Sequence, residues 1–218
     1  PNLPTLTEYL DYSCHACADL DAYIGNDLTT WASQGHYNLE LQPVITVDME
    51  YLKPATGASL VVAQKAPDKW IEFHHALMAY FRSQFNAQSG AVINNLDSSW
   101  KQVKQIATEV GVPSDVIATF PVNAVDSYLQ ASSTAWKEAS VDGRDPNKLG
   151  TPELVKDHST LISRSGDLAA LRSTIMELYG FSESASPETG TPVTPEVTEP
   201  SQSGDGQSQS EGTTTGSN

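Results

Sequence analysis

The spacing of apolar residues predicts a strand, a helix and a second strand within the first 47 residues. Residues 5–12 form a short apolar and aromatic run that is typical of a buried strand. Residues 16–34 carry apolar side chains every three or four positions, which predicts a helix with one core-facing side that ends at Gly35. Residues 38–47 are the next strand, and this order predicts a right-handed parallel crossover.

The periodicity changes twice further along the chain, first to helices and then back to strands. The middle helices are predicted over residues 55–64, 67–81, 100–110 behind a cap at 97–99, 113–120 and 123–138. The last elements are predicted as a strand over 150–156, a return strand over 160–163 and a helix over 167–179. We therefore expect an α/β fold in which the first and last parts share one sheet and the helices are an insertion.

The last 36 residues differ in composition from the rest. Residues 183–218 contain no Lys, Arg, Cys or aromatic residue and consist mainly of Ser, Thr, Gly, Pro, Gln and acids. Such a segment cannot bury enough apolar surface to fold, so we predict a disordered acidic tail. The formal net charge of the chain is −15, and the six acids of the tail leave −9 on the rest. An acidic protein repels phosphate backbones, which argues against a nucleic-acid partner.

Candidate chemistry lies in a Cys-x-x-Cys motif between the first predicted strand and helix. Cys14 and Cys17 are the only cysteines in the chain. A helix start places free N–H groups and partial positive charge beside the first sulfur, which favours the reactive thiolate. A structural staple is the first alternative, although a loop this short would contribute only about 2 kcal/mol. Half of a zinc site is the second, but no further ligands have suitable spacing, so no metal is expected.

Other titratable residues allow two interpretations. Glu8 lies inside an apolar strand, either as an outward-facing acid on an edge strand or as a buried acid beneath the motif. Burial would raise its pKa and let it exchange a proton with Cys17. His74 and His75 are expected to be core or surface histidines without a chemical role.

Three segments together resemble thioredoxin-fold disulfide oxidoreductases of the DsbA type. Residues 8–17 (EYLDYSCHAC) resemble their active-site segment, residues 70–77 (WIEFHHAL) a helix of their inserted domain, and residues 150–155 (GTPELV) their cis-proline strand. The resemblance covers roughly residues 3–181. It implies a thioredoxin-like domain over 3–47 and 148–181, an inserted helical domain over 48–147, and the tail over 183–218.

The resemblance also implies roles for individual residues. Cys14 is similar to the exposed nucleophile and Cys17 to the buried resolving cysteine, while Glu8 matches the buried acid. Thr151 and Pro152 resemble the loop that faces the disulfide and holds a peptide substrate. His15 departs from the pattern, because family members often carry histidine in the second position between the cysteines. Beside Cys14 it can still donate a hydrogen bond or positive charge to the thiolate.

The predicted function is a thiol-disulfide oxidoreductase that introduces disulfides into exported proteins. Its expected partners are reduced or unfolded exported polypeptides and a membrane oxidase that restores the disulfide, and no cofactor is expected. We expect an extracytoplasmic location, secreted or anchored to the cell envelope, with the targeting segment absent from this chain. Two alternatives stay open: a reductase or isomerase on the same scaffold, and a non-catalytic cell-envelope binding domain with a vestigial motif.

Overall fold

The computed structural model describes residues 2–121, 125–162 and 168–182. The strands are β1 (Thr5–Leu10), β2 (Asn38–Pro43), β3 (Glu153–Lys156) and β4 (Thr160–Leu161). The helices are α1 (His15–Leu20), α2 (Asn26–Ser33), α3 (Leu52–Lys65), α4 (Pro67–Asn86), α5 (Gly90–Ile93), α6 (Leu96–Glu109), α7 (Ser114–Ile117), α8 (Val125–Glu138) and α9 (Leu168–Tyr179). The predicted tail over 183–218 lies outside the described residues.

The four strands form one sheet in the order β2-β1-β3-β4. β1 pairs in parallel with β2 and antiparallel with β3, which confirms the predicted parallel pairing and the shared sheet. Glu8 is opposite Leu41 on one side and Leu154 on the other, so it lies on a central strand and not on an edge. β3 begins at Glu153 and not at residue 150, since Pro152 has no N–H to donate to a strand ladder.

The predicted motif helix is interrupted by a single π-helical segment. α1 and α2 are joined through Asp21–Gly25, whose backbone adopts the wider π-helical turn. Asp21 and Gly25 lie at its two ends, and the Asp21 side chain is directed towards helix α4. The apolar spacing of the sequence predicted one continuous helix, because the interruption leaves Leu20, Ile24 and Leu28 on the buried side.

Three of the middle helices are longer than predicted, and the first of them, α3, runs over Leu52–Lys65 instead of residues 55–64. α4 runs to Asn86 instead of residue 81, because Phe85 adds a further turn that packs on Phe81. α6 begins at Leu96, since the Asn95 side chain and not Asp97 accepts the Ser98 N–H at 2.9 Å. The segment 95–99 includes Asn, Asp and Ser side chains that could each cap the helix, so composition alone does not predict which one does.

The chain up to Ser182 is one compact unit with two apolar cores. The larger core packs the motif and the inserted helices together, and the smaller one packs β1, β3 and α2 against α9. The end of α8 is tied to the start of β3, where the buried Arg144 pairs with Glu153 and Trp136 donates to the same carboxylate at 2.8 Å. Within the described residues, no helix combines the length and apolarity that a bilayer crossing requires.

Candidate active site

Cys14 occupies the position immediately before helix α1. Its backbone is extended (φ −96°, ψ 120°) and its N–H donates to the Asp11 carbonyl oxygen at 2.9 Å. The resemblance implied an exposed sulfur, and the structure corrects this, because Cys14 is only 7 % exposed. The cause is the loop at Thr151, whose carbonyl oxygen lies 3.4 Å from the Cys14 Sγ. Cys17, one turn into α1, is fully buried.

The two thiols have opposite pKa shifts. The pKa of Cys14 is lowered to about 6, chiefly by a hydrogen bond from the Cys17 thiol. Burial opposes this shift, while the Thr151 side chain and the backbone N–H groups of Ala16 and Cys17 add to it. Burial and the hydrogen bond to Cys14 raise the pKa of Cys17 well above its usual range. At neutral pH the pair therefore holds one thiolate, and it is on Cys14.

The loop facing the sulfur comes from the far end of the described chain. The Thr151–Pro152 peptide bond is cis. The Cys14 thiol, when protonated, donates to the Thr151 carbonyl oxygen across 137 positions of sequence. Glu153, next to Pro152, is anchored by Arg144 and Trp136, which positions this loop over the start of α1.

Glu8 lies in the middle of β1 and is 3 % exposed. Its pKa is raised to about 8, first by burial and then by the negative charges of Asp21 and Cys14. A carboxyl group with this pKa is protonated at neutral pH and can supply a proton or take one up near it.

His15 lies at the first turn of α1 but contacts helix α4. Its ring stacks on Phe85 with centroids 4.3 Å apart, and its Nε2 is 3.0 Å from the Asn86 Oδ1. Nε2 also lies 3.4 Å from the Asp19 carboxylate. The contacts with Phe85 and Asn86 hold the imidazole against α4. His15 is not among the groups that shift the pKa of Cys14.

Sequence reasoning missed a buried carboxylate between the site's loops. Asp11 is fully buried and accepts hydrogen bonds from Ser13 and from the segment after β2 that includes Thr46 and Val47. Thr46 in turn contacts Thr151, so Asp11 connects the start of the motif to the proline loop. The available signal was an acid at the end of an apolar strand, three positions before Cys14.

His74 is a core histidine, as predicted, and His75 is partly buried beside it; both contact Asp21, a partner that the sequence did not indicate. Asp21 accepts from His75 Nδ1 at 2.7 Å and lies 3.4 Å from His74 Nε2. Burial alone would raise the pKa of Asp21, but the hydrogen bonds from both histidines outweigh it and lower the pKa below its usual range. Asp21, His74 and His75 each place one nitrogen or oxygen atom within 4.8 Å of the other two. Among the described residues, these three are the ones best placed to hold a metal ion. Their mutual hydrogen bonds already account for the arrangement.

The fold has known counterparts among solved structures. No protein-family model matches the sequence, and no curated protein matches it. MdbA of Actinomyces oris, a thiol-disulfide oxidoreductase, is 23% identical over 82% of this chain and 79% of its own, with a TM-score of 0.64. This chain has the DsbA-type thioredoxin fold. DsbA of Mycobacterium tuberculosis matches 81% of the chain and 83% of its own (19% identity, TM-score 0.55). BdbD of Bacillus subtilis matches 81% and 88% (16% identity, TM-score 0.58).

Proposed function

We propose that this protein is a thiol-disulfide oxidoreductase that introduces disulfides into other polypeptides. The observation that supports this most directly is the asymmetry of the pair: the pKa of Cys14 is lowered and that of Cys17 is raised. A non-catalytic motif would not require a stabilised thiolate on one cysteine, nor a loop from the far end of the described chain placed against that sulfur. The DsbA-type fold agrees with the proposal.

The reaction begins with a disulfide between Cys14 and Cys17. A substrate thiolate attacks the Cys14 sulfur, the bond between the two cysteines breaks, and Cys17 leaves as a thiolate. Because Cys17 is buried and its pKa is raised, this thiolate takes a proton, and the protonated Glu8 is the proposed donor. A second substrate thiolate attacks the substrate sulfur of the mixed disulfide, and Cys14 leaves. Two electrons have passed from the substrate to the protein.

The lowered pKa of Cys14 favours this direction. A stabilised thiolate is a good leaving group and stabilises the reduced protein, and both properties are those of an oxidant. The Thr151 carbonyl oxygen and the backbone around Pro152 would hold an extended substrate segment against the sulfur. His15 is proposed to contribute to the thiolate's surroundings from the first turn of α1, where its ring packs against α4.

The proposed substrates are reduced or unfolded exported polypeptides, and the proposed location is extracytoplasmic. An oxidase, which we propose to be in the membrane, would have to return the dithiol to the disulfide after each turnover. The acidic charge of the chain fits protein substrates better than nucleic acid.

A reductase or isomerase is the second candidate, and one observation favours it. The pKa of Cys14, about 6, is nearer to the value of about 7 in a reducing thioredoxin than to about 3.5 in the strongest oxidants. The equilibrium of the pair against a series of glutathione buffers separates these directions. A potential well above that of glutathione supports the oxidase, and one well below it supports the reductase.

The test of the whole assignment is turnover. The oxidised protein should form disulfides in a reduced, unfolded test polypeptide, and Cys14→Ser should abolish this. Lys101→Ala, which changes an exposed side chain on α6, is a control that should retain it. Absence of turnover in the wild-type chain in both directions would favour the non-catalytic binding domain, and retained turnover in Cys14→Ser would refute the assignment.

A further inference from the structure

A cavity of about 510 Å³ lies between the end of helix α4, the short helix α5 and the loop that follows β2. Its volume is within the range of about 300–1,000 Å³ that is usual for binding pockets. None of the described residues that line it is ionisable. Neither Thr151 nor Pro152 is among them, so the cavity is separate from the loop that covers the Cys14 sulfur.

Both chain neighbours of Cys14 contact residues of the cavity wall. On one side, the His15 ring stacks on Phe85 with centroids 4.3 Å apart. On the other side, the Ser13 hydroxyl accepts a hydrogen bond from the Met49 N–H at 3.2 Å. Because consecutive Cα atoms are only about 3.8 Å apart, a cavity that reaches both neighbours adjoins Cys14 itself.

The apolar part of the cavity is formed by Met49, Phe85 and Ile93. Ile93 is buried and Met49 half-buried, but the Phe85 side chain is 45 % exposed. Val47, two residues before Met49 in the same loop, is also exposed. A ligand group that covered this surface would remove apolar area from water, which is favourable. The cavity therefore suits an apolar group better than a polar one.

The polar part of the cavity consists chiefly of amide side chains. Gln84, Gln88 and Asn94 line it, and within the described residues their side chains have no hydrogen-bond partner. An amide has both donors and an acceptor, which complement the N–H and C=O of a peptide group. An ionic ligand would find no opposite charge in this lining, and burial of an unpaired charge is costly. An apolar side chain with its flanking peptide groups fits both parts of the cavity.

We propose that this cavity binds a large apolar side chain of the polypeptide substrate, from a residue close in sequence to the reacting cysteine. The inference rests on the proposed function, because it names the kind of polypeptide on which the same cysteine pair acts. Unfolded chains expose such side chains, whereas folded proteins bury most of them, so the cavity favours unfolded substrates. Residues 183–218 of the chain itself are a poor occupant, since they contain no aromatic residue and no Leu, Ile or Met.

A set of short peptides tests the cavity by rate. Each peptide has a single cysteine, held as a mixed disulfide with thionitrobenzoate, and either Phe or Ser at one position near it. In a Cys17→Ser chain, the Cys14 thiolate attacks the peptide sulfur, a disulfide forms between them, and thionitrobenzoate leaves and is measured by its absorbance. At one or more positions the Phe peptide should react about tenfold faster than the Ser peptide, as expected for burial of a large apolar side chain.

Two variants of the cavity wall should bring this ratio of rates close to one. Phe85→Ala removes the exposed ring, and Met49→Gln makes the wall polar while the stacking of His15 on Phe85 remains. Tyr23→Ala is the matched control, because Tyr23 is 56 % exposed and lies outside the cavity, and it should retain the ratio. Each ratio compares two peptides at the same sulfur, so a change in the Cys14 pKa cancels.

Equal rates for the Phe and Ser peptides at every position would overturn the inference, as would a preference that persists in both cavity variants. Dimerisation of the wild-type chain that Phe85→Ala abolishes, measured by sedimentation, would also overturn it, because the occupant would then be a second copy. The rates do not depend on the direction in which the cysteine pair exchanges electrons. A failure of the proposed function would appear separately, as a wild-type chain without turnover on the test polypeptide.

Discussion

The Cys14 sulfur lies 3.4 Å from the carbonyl oxygen of Thr151, a residue 137 positions further along the chain. This proximity is produced by the sheet, because β1 leads into Cys14 and its antiparallel neighbour β3 begins just after Pro152. The loop between them lies over the start of α1. The Thr151 carbonyl oxygen therefore covers part of the approach to the sulfur.

The first prediction concerns the acidity of the two thiols. Cys14 should titrate near pH 6, and at pH 7 iodoacetamide should modify it well before Cys17. Cys17→Ala should raise the Cys14 pKa, because the Cys17 thiol is the largest stabiliser of the thiolate. Mass spectrometry of the alkylated peptides and absorbance at 240 nm measure both effects. Faster modification of Cys17 than of Cys14 would contradict the assignment of the nucleophile.

Much of the fold could be predicted because its signals are local. Periodicity placed β1 and the motif helix. The apolar run around Glu8 allowed an edge-strand acid or a buried one, and its place on the central strand decides for the buried one. Asp11 and Asp21 could not be assigned their partners in this way. Their contacts join positions that are 35 to 54 residues apart, so they depend on how helices and loops pack and not on any spacing along the chain.

The second prediction is that the buried Glu8 makes the free energy of unfolding depend on pH. Its pKa is about 8 in the folded chain against the usual 4.5 of a glutamate carboxyl, so between these values the folded state holds a proton that the unfolded state has lost. The free energy of unfolding therefore falls as pH rises through this window. Glu8→Gln, which stays neutral, should be the more stable variant at pH 8 by a few kcal/mol, and nearly equal to the parent at pH 4.

Urea unfolding at several pH values measures this difference. Both chains should carry Cys14→Ser and Cys17→Ser so that no thiol titrates in the same range. A matched control is Glu72→Gln, since Glu72 is exposed on α4 and its change should give no such slope. A stability difference that is constant from pH 4 to pH 8 would show that Glu8 does not hold its proton.

The third prediction concerns Gly25, which lacks a side chain where the Asp21 carboxylate and the His75 ring lie close to its backbone. Its backbone is ordinary helix (φ −57°, ψ −43°), so no special conformation requires glycine. A Cβ built there would overlap the Asp21 carboxylate and lie 3.2 Å from the His75 ring. Gly25→Ala should therefore destabilise the fold by about 1–3 kcal/mol, despite the better helix propensity of alanine. Gly150→Ala, where nothing lies within 4 Å, should cost less, and thermal or urea unfolding compares the two.

The fourth prediction ranks His15 below Cys17 as a stabiliser of the Cys14 thiolate. The Cys17 thiol hydrogen-bonds the sulfur itself, whereas the imidazole is stacked on Phe85 and bonded to Asn86. His15→Ala should therefore raise the Cys14 pKa by less than Cys17→Ala does. Because the ring joins α1 to α4, the same change should lower stability by about 1 kcal/mol, the size of one aromatic contact.

Phe85→Ala provides the matched comparison, because it removes the ring's stacking partner and leaves the imidazole in place. If His15 acts mainly as a packing residue, the two variants should lose similar stability and leave the thiolate absorbance profile nearly the same. A rise in the Cys14 pKa with His15→Ala as large as that with Cys17→Ala, but absent in Phe85→Ala, would instead assign the imidazole a direct electrostatic role at the sulfur. The loss of stability in each variant therefore measures the packing role of the His15 ring, and the change in the Cys14 pKa measures its electrostatic role.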